Sequence, residues 1–326
     1  MKKFVLNILL FSGLIALLSL GSYELNKRLI SNDPYLIPSN VHTLILGDSR
    51  MQTALNPELL PNSVNISMSG EPYIATYLKL KKVIEDNPNI QQIVLGFSQH
   101  NISGYSDSKF KDDKISRKLF NRYNLLMKRS DLEGLEYHHT AWYMLYLNQV
   151  ILPNPAFVRN WIEKVKGKEP HGYPYIGKFY SSDYSLIGRR AKNDSTISRH
   201  FYKNGQIAGI SQISRSSLDS MVALTQRQNI DLYLFKSPVH PYYENMIPEL
   251  YNEVLGEIIN QLAEYEHVRI FDYSKWRFPD SHYGDYDHIN SKGAEILSVE
   301  FNKIINSPKE GRLHYITYPP TLQVHP

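Results

Sequence analysis

The order of apolar and polar residues separates an uncharged N-terminal segment from a long region of alternating short apolar and amphipathic runs. Residues 4–23 carry no charge and, at about 1.5 Å per residue, are long enough for the roughly 30 Å hydrocarbon core of a bilayer. We therefore expect residues 1–30 to form an N-terminal membrane anchor, with a cleaved signal peptide as the alternative. A signal peptide normally has a shorter apolar region, and no clear A-x-A cleavage site follows here.

Beyond residue 34 the pattern is typical of an α/β domain, which we expect over residues 35–326. Apolar runs at 42–46, 63–66 and 90–97 predict three strands, and residues 73–85 carry apolar side chains at helical spacing. Two more strands are predicted at 230–235 and 268–271, among helices at about 214–228, 243–265 and 291–305. This alternation predicts a parallel sheet covered by helices on both faces, with the loops after the strands along one edge.

Residues 103–212 interrupt the alternation, and we expect them to form a helical and irregular insertion beside the sheet that is a candidate lid over a site. The segment is rich in Tyr, Lys, Arg and Ser. Its amphipathic pieces predict helices near 117–129, 141–152 and 157–166, and its Gly and Pro residues predict irregular loops at 173–184.

Charge and composition exclude several classes of function. The formal net charge is +4, but residues 1–30 hold four basic residues against one acidic residue, which leaves +1 for the other 296 residues. A nucleic-acid partner is therefore not expected, because phosphate binding needs a concentrated basic face. The absence of cysteine excludes disulfides, thiolate metal sites and lipoprotein attachment, and it fits a domain outside the cytoplasm. Basic residues on both flanks of residues 4–23 leave the orientation open from charge alone.

The first candidate for chemistry is the tripeptide Gly47-Asp48-Ser49, at the carboxyl end of the first predicted strand. A serine at a strand-to-loop turn can expose its hydroxyl beside backbone N–H groups that face a developing oxyanion. The structural alternative is an ordinary helix N-cap at this position.

The second candidate is the sequence Asp-Tyr-Asp-His-Ile-Asn at residues 285–290, just before the last predicted helix. A histidine with an ordinary pKa of ~6.5 can take the proton of a serine hydroxyl if a carboxylate orients its ring. Asp285, three residues before His288, is the predicted orienting acid. Asp287 is the alternative, although the side chains of immediate neighbours usually point apart. A capped helix start would explain the acids but not the histidine.

Together these motifs resemble the first and last sequence blocks of the SGNH/GDSL hydrolase superfamily. The resemblance implies a flavodoxin-like three-layer sandwich with a central parallel sheet. It also implies a catalytic triad in which Ser49 is the nucleophile, His288 is the base and Asp285 is the acid. The family's second-block glycine, whose N–H helps to bind the oxyanion, matches Gly70.

The third block differs from the family pattern, which has Gly-x-Asn after a strand. Here Ser98 stands at the asparagine position and Asn101 follows three residues later, so either side chain is the predicted third oxyanion donor. The runs Leu-Gly-Asp-Ser-Arg and Asp-His-Ile-Asn, with the membrane anchor, look similar to envelope-bound members that add or remove acyl groups on surface glycans. Alginate acetylation proteins and the D-alanyl transfer protein of teichoic acids are examples.

The resemblance therefore implies a membrane-anchored serine esterase or O-acyltransferase that acts on acyl esters, acetyl above all, of a cell-envelope glycan. Its domain would lie outside the cytoplasm, in the periplasm or at the cell surface. The alternative is a non-catalytic protein of the same fold that binds a glycan or a membrane-bound acyltransferase partner.

Two further residues are candidates for substrate contact. Arg50 would either neutralise an anionic substrate or pair with a carboxylate such as Asp48, and His240 would either touch substrate or hold its loop by a hydrogen bond. The sequence contains neither H-E-x-x-H nor a P-loop, so we expect no metal and no cofactor.

Overall fold

The computed structural model describes residues 1–31, 35–123, 126–133, 135–137, 139–140, 162–163, 165–167, 173, 175–184, 190–305 and 315–317. The helix predicted at 141–152 and most of the one at 157–166 lie outside these residues. The chain divides into two compact units, Met1–Leu36 with Phe110–Tyr175 and Ile37–Lys109 with Ile176–Pro326.

In chain order the named elements are α1 (Lys2–Ser31), β1 (Thr43–Leu46), α2 (Ser49–Ala54), β2 (Ser63–Asn65), α3 (Tyr73–Asp86), β3 (Gln92–Gly96), α4 (Tyr105–Lys111), α5 (Asp113–Tyr123), α6 (Arg190–Phe201), β4 (Tyr202–Lys203), β5 (Gln206–Ile207), α7 (Gln212–Arg227), β6 (Asp231–Lys236), α8 (Pro241–Glu244), α9 (Glu249–Leu262), β7 (Val268–Asp272), α10 (Ser291–Ile305) and β8 (Tyr315–Thr317). Short 3₁₀ helices at Pro57–Leu59, Gln99–Asn101, Arg129–Leu132 and Asp280–His282 join some of them.

The first unit contains α1 and α5. The stretch Lys2–Leu25 of α1 is long and apolar enough to cross a membrane, and its apolar side chains are exposed. Such a helix fits a membrane anchor or a signal sequence. In α5 the side chains of Leu119, Phe120 and Tyr123 are buried on one face, with charged residues between them, as expected of an amphipathic helix.

The second unit is built on a central sheet of five parallel strands in the order β2-β1-β3-β6-β7, and the short β8 pairs parallel to β7 at its edge. Strands β1, β3 and β6 are short and almost wholly buried, which is why they appear in the sequence as apolar runs rather than as alternating patterns. The strand order reverses at β1, so the crevice between the carboxyl ends of β1 and β3 is where a site is expected.

Helices flank the sheet, an arrangement compatible with a three-layer sandwich. Helix α10 packs on one face: Leu297 and Phe301 meet Ile45, Val94 and other strand side chains in one buried cluster. The alternate strand residues point to the opposite face. Helices α3 and α7 pack against each other, and α7 also packs against β6. The prediction of an α/β fold with a parallel sheet between helices is thus confirmed.

The segment predicted as an insertion, residues 103–212, contributes to both units. Residues 110–175 belong to the first unit. Residues 176–212 belong to the second, where α6 and the antiparallel β4–β5 hairpin lead into α7. Phe201 at the end of α6 is buried, with its ring 4.9 Å from the ring of Tyr251 in α9. This part of the segment therefore packs with the sheet-bearing unit.

Candidate active site

Ser49 is the first residue of α2, directly after β1 and one residue after the helix N-cap Asp48. The preceding Gly47 has φ +138°, which L side chains rarely adopt, and a Cβ there would lie 2.8 Å from Cγ of Met51. Glycine therefore allows the sharp strand-to-helix turn that presents Ser49 at the carboxyl edge of the sheet. The structural alternative for the tripeptide applies, because Asp48 caps the helix and accepts the N–H of Arg50; the nucleophilic role of Ser49 stays a prediction.

The hydroxyl of Ser49 lies beside the imidazole of His288, with 2.8 Å between Oγ and Nε2. On the other side of the ring, Nδ1 of His288 lies 2.8 Å from Oδ1 of Asp285. With the proton on Nδ1, the ring donates to the carboxylate and its Nε2 accepts from the serine hydroxyl. This is the contact geometry of a serine nucleophile, a base and an orienting acid.

A short loop before α10 holds Asp285 and His288. The backbone N–H groups of Gly284 and Asp285 donate to the carbonyl of His288, and Tyr283 forms a bridge with Ile289 that closes the loop. The N–H of Asp287 donates to Oδ1 of Asp285. The loop conformation is therefore fixed by its own hydrogen bonds, which keep the imidazole aimed at α2.

Asp287 is also an ion-pair partner of His288, with Oδ1 3.2 Å from Nδ1. It is the more buried acid, because its side chain is 8% exposed and that of Asp285 is 23% exposed. The expectation that Asp287 points away from its neighbour is therefore wrong: the tight loop turns both carboxylates toward the same ring nitrogen. Two acids share the orienting position.

The protonation of His288 is set by these acids. Burial lowers the pKa of His288, but the carboxylates of Asp287 and Asp285 outweigh it and raise the pKa to about 10. In turn, although burial raises the pKa of Asp287, the His288 ring and the Arg50 guanidinium hold it well below its usual range. The free site thus favours an imidazolium at neutral pH.

The same loop is the place where a metal ion could be held. Ligand atoms of Asp285, Asp287 and His288 lie within 4.8 Å of one another. A metal on Nδ1 of His288 would take the position of the proton that the carboxylates now accept. The same three side chains also make the hydrogen bonds of the loop and the contact with Ser49.

A second acid–histidine pair lies directly behind Ser49. Oδ1 of Asp48 accepts the N–H of Arg50 at 3.0 Å, and Oδ2 lies 2.5 Å from Nε2 of His100 and accepts the amide of Asn101 at 2.9 Å. Burial alone would raise the pKa of Asp48, but His100 and Arg50 lower it below its usual range. Burial lowers the pKa of His100, so a neutral ring that donates from Nε2 fits the network.

The predicted oxyanion donors Ser98 and Asn101 are both buried members of this network. Oγ of Ser98 lies 2.9 Å from Nδ1 of His100 and from Oδ1 of Asn101. The Asn101 amide is committed to Asp48. These contacts support the turn that carries Ser49, and a direct role in binding an oxyanion stays a prediction for both residues.

Arg50 fills the space between the two acid–histidine pairs. Its side chain is buried, its guanidinium carbon lies 4.7 Å from the ring centroid of Tyr243, and Nη1 lies 3.4 Å from Oγ of Ser98. Burial lowers the pKa of Arg50, but Tyr243, Asp287 and Asp48 outweigh it, so the group stays charged. No ion pair joins the Arg50 guanidinium to a carboxylate among the described residues, and its Nε and Nη2 are buried without a hydrogen-bond partner, so both uses predicted for Arg50 stay predictions.

Gly70 lies in the turn after β2 with φ +72°. Its carbonyl oxygen accepts a hydrogen bond from Nζ of the buried Lys109, with 3.2 Å between the two atoms. Burial lowers the pKa of Lys109 to about 8. The next residue, Glu71, forms a fully buried ion pair with Lys79, 2.7 Å long, and Lys79 also donates to the carbonyl of Ile66. Two buried lysines therefore fix the turn in which the predicted oxyanion donor Gly70 stands.

His240 caps α8: its Nδ1 accepts the N–H of Tyr242 at 3.1 Å, and its Nε2 lies 3.3 Å from Oδ1 of Asp280. Its backbone N–H donates to the carbonyl of Tyr286 in the loop that carries His288. These contacts match the structural alternative for His240, in which the histidine holds its loop.

Nothing in the sequence indicated a group of aromatic and basic side chains near Arg50, which includes His100, His200 and Tyr243. The rings of His100 and His200 stack with centroids 5.1 Å apart, and Nδ1 of His200 lies 2.7 Å from the hydroxyl of Tyr243. Burial and the nearby His100 lower the pKa of His200 well below its usual range. These contacts could not be predicted from the sequence, because 100 residues separate the two histidines and no motif connects them.

Comparison with known proteins leaves the site to be judged on its geometry: the chain matches no protein-family model, and no curated protein matches it significantly.

Proposed function

We propose that this chain is a serine-dependent esterase or O-acyltransferase of the SGNH type that acts on acyl esters, acetyl above all, of a cell-envelope glycan. The observation that carries the proposal is the pair of 2.8 Å contacts that connect Ser49 to His288 and His288 to Asp285. A protein that only binds has no need for an aligned nucleophile, base and acid at the switch point of a parallel sheet.

In the proposed reaction, the neutral form of His288 takes the proton of Ser49 as Oγ attacks the ester carbonyl. The oxyanion collapses to an acyl-serine, and the C–O bond to the alcohol breaks as the imidazolium returns its proton to that oxygen. Asp285 and Asp287 stabilise the imidazolium. Water or a sugar hydroxyl then attacks the acyl-serine with His288 again as base, which releases acid or a new ester and restores Ser49.

The negative charge on the carbonyl oxygen needs donors that are already in place, since removal of one such donor costs roughly 10²–10³ in turnover in serine hydrolases. We assign this role to the N–H groups of Ser49 and Gly70. The anchoring of Gly70 by Lys109 supports the assignment, because a fixed turn does not reorganise during the reaction.

The apolar helix α1 supports an attachment to the membrane, and we propose that the sheet-bearing unit lies outside the cytoplasm, where envelope glycans and a membrane-bound acyltransferase partner would be accessible. Protease treatment of sealed vesicles of known orientation tests the topology. Digestion of residues 37–326 from the cytoplasmic side would contradict it.

Hydrolysis of p-nitrophenyl acetate by the full chain tests the activity. Ser49→Ala is expected to reduce kcat by roughly 10³-fold or more, because the nucleophile is lost. Ser216→Ala removes an exposed hydroxyl from α7 and is the matched control, which should retain wild-type activity. Equal rates in wild type and Ser49→Ala would contradict the proposal. Acetylated product in the presence of a neutral oligosaccharide would identify a transferase.

The second candidate is a non-catalytic envelope protein that binds a glycan or an acyltransferase. It is favoured by the commitment of the Asn101 amide to Asp48, which leaves the third-block donor engaged inside the protein. A folded chain that neither turns over the ester nor reacts at Ser49 would favour this candidate.

A further inference from the structure

A polar groove of about 750 Å³ lies at the carboxyl edge of the sheet, on the side of β6 and β7. Its walls include the last residues of these strands, Lys236 and Asp272, together with Gln99 after β3 and residues of α8 and α9. The catalytic contacts described above use none of these side chains. The groove lies along the same carboxyl edge of the sheet as the switch point between β1 and β3, but on the neighbouring pair of strands.

Four of the six charged side chains that line the polar groove are paired with one another, and the other two, Glu249 and Lys275, carry opposite charges. Lys236 and Asp272 form a buried ion pair, 2.6 Å between Nζ and Oδ2, and Arg277 pairs with Glu244. Asp272 is further satisfied by the backbone and hydroxyl of Ser274. A charged ligand would have to compete with these internal pairs, so the groove offers little net attraction to anions or cations.

The groove also offers neutral donors and acceptors, on Gln99, Asn245, Asn252 and Ser274, beside apolar surface. The amides of Gln99 and Asn252 are joined by a 2.9 Å hydrogen bond at the rim. Ile259 of α9 supplies apolar surface next to them. Hydroxyl groups that need both donors and acceptors, on rings that also carry apolar C–H faces, match this lining. Those are the properties of an uncharged sugar chain.

Gly256 gives a second, independent indication that the groove is kept open. Glycine in the middle of a helix is less favourable than alanine, yet Gly256 stands in the centre of α9 and lines the groove. A Cβ at this position would meet no atom within 4 Å, so packing does not require glycine here. The absence of a side chain leaves the floor of the groove clear for a ligand.

Two walls of the groove are continuous with segments that contact Arg50, the neighbour of Ser49, and the loop that carries His288. Gln99 follows Ser98, whose hydroxyl lies beside Arg50. Glu244 ends α8, which begins at the His240 cap that hydrogen-bonds this loop. A long ligand seated in the groove would therefore be held next to the elements that carry the triad.

We propose that the polar groove binds a segment of an uncharged oligosaccharide and so selects a neutral glycan as the acyl-bearing substrate. This inference rests on the proposed function for the identity of the bound glycan as substrate, but the binding itself does not depend on Ser49.

The test is a glycan array probed with the full chain in a polyoxyethylene ether detergent, since maltoside detergents would compete. The array carries neutral cello-, malto-, manno- and chito-oligosaccharides and, for comparison, oligogalacturonate and heparin fragments. We expect the wild-type chain to bind the neutral oligosaccharides.

Gly256→Trp fills the groove and should weaken the binding by about tenfold or more. Asn252→Ala removes an exposed amide at the rim and should weaken the binding by a smaller factor. Glu257→Trp places the same ring on an exposed position of α9 outside the groove and should bind as wild type.

Preferential binding of the acidic glycans, equal binding by Gly256→Trp and wild type, or no binding by the folded wild type would each overturn the inference. Ser49→Ala separates it from the proposed function: this variant should lose ester hydrolysis and keep glycan binding. If wild type binds the glycan but does not hydrolyse the ester, only the catalytic proposal is overturned.

Discussion

The substitution Asp287→Asn tests how the site sets the protonation of its base. Asp287 is buried, its carboxylate lies 3.2 Å from Nδ1 of His288, and it is the strongest of the charges that raise the pKa of that ring. The difference between the ordinary pKa of 6.5 and about 10 corresponds to about 5 kcal/mol in favour of the imidazolium. Asparagine keeps the shape and an acceptor oxygen but removes the charge.

We expect Asp287→Asn to lower the pKa of His288 by roughly 1–3, the range for loss of an opposite charge at this distance. Because His288 acts as a base only when neutral, ester hydrolysis by wild type should rise with pH up to the pKa of the ring. In Asp287→Asn this rise should move to lower pH, and the plateau rate should fall, since the imidazolium formed during attack is less stabilised.

Two measurements check this prediction on the full chain: NMR titration of the imidazole resonances, assigned by comparison with His288→Gln, and the pH dependence of p-nitrophenyl acetate hydrolysis. Asp285→Asn is the matched control, and its more exposed carboxylate should change the pKa less. An unchanged pKa in Asp287→Asn, or a larger fall in Asp285→Asn, would refute the assignment of Asp287 as the dominant charge.

Three further predictions concern stability. The raised pKa of His288 stabilises the folded state below about pH 6.5 and this contribution is lost as pH rises toward 10, so the urea midpoint of wild type, relative to His288→Gln, should fall over that range. Gly177→Ala should destabilise by roughly 1–3 kcal/mol in urea unfolding, because a Cβ would lie 1.7 Å from the carbonyl oxygen of Ser67; a neutral effect would contradict this. Lys79→Met should cost roughly 3–5 kcal/mol by leaving Glu71 buried without its ion-pair partner, and adding Glu71→Leu should recover much of the loss; additive losses would contradict this.

The strands and the contact between Ser49 and His288 were accessible from the sequence because both depend on local pattern and simple topology. Apolar runs predicted β1, β3, β6 and β7, and their alternation with helices predicted parallel pairing. Ser49 and His288 are 239 residues apart, yet one follows a strand and the other precedes a helix at the same edge of the sheet. The catalytic roles assigned to them stay predictions.

The surroundings of the site were not accessible in the same way. The orientation of Asp287 depends on the hydrogen bonds of a seven-residue loop, which residue spacing does not encode. The contact of Asp48 with His100, and of Lys109 with Gly70, depends on how separate loops pack over the sheet edge. A buried lysine or histidine has the same appearance in a sequence as an exposed one.

The most direct test of the central claim is the reaction of the full chain with a fluorophosphonate, followed by peptide mass mapping. The account predicts one phosphonylated residue, Ser49, with no label in Ser49→Ala and slower labelling in His288→Gln, since the neutral imidazole activates the hydroxyl. A folded wild-type chain that stays unlabelled, or that is labelled at another serine, would contradict the claim that Ser49 is an activated nucleophile.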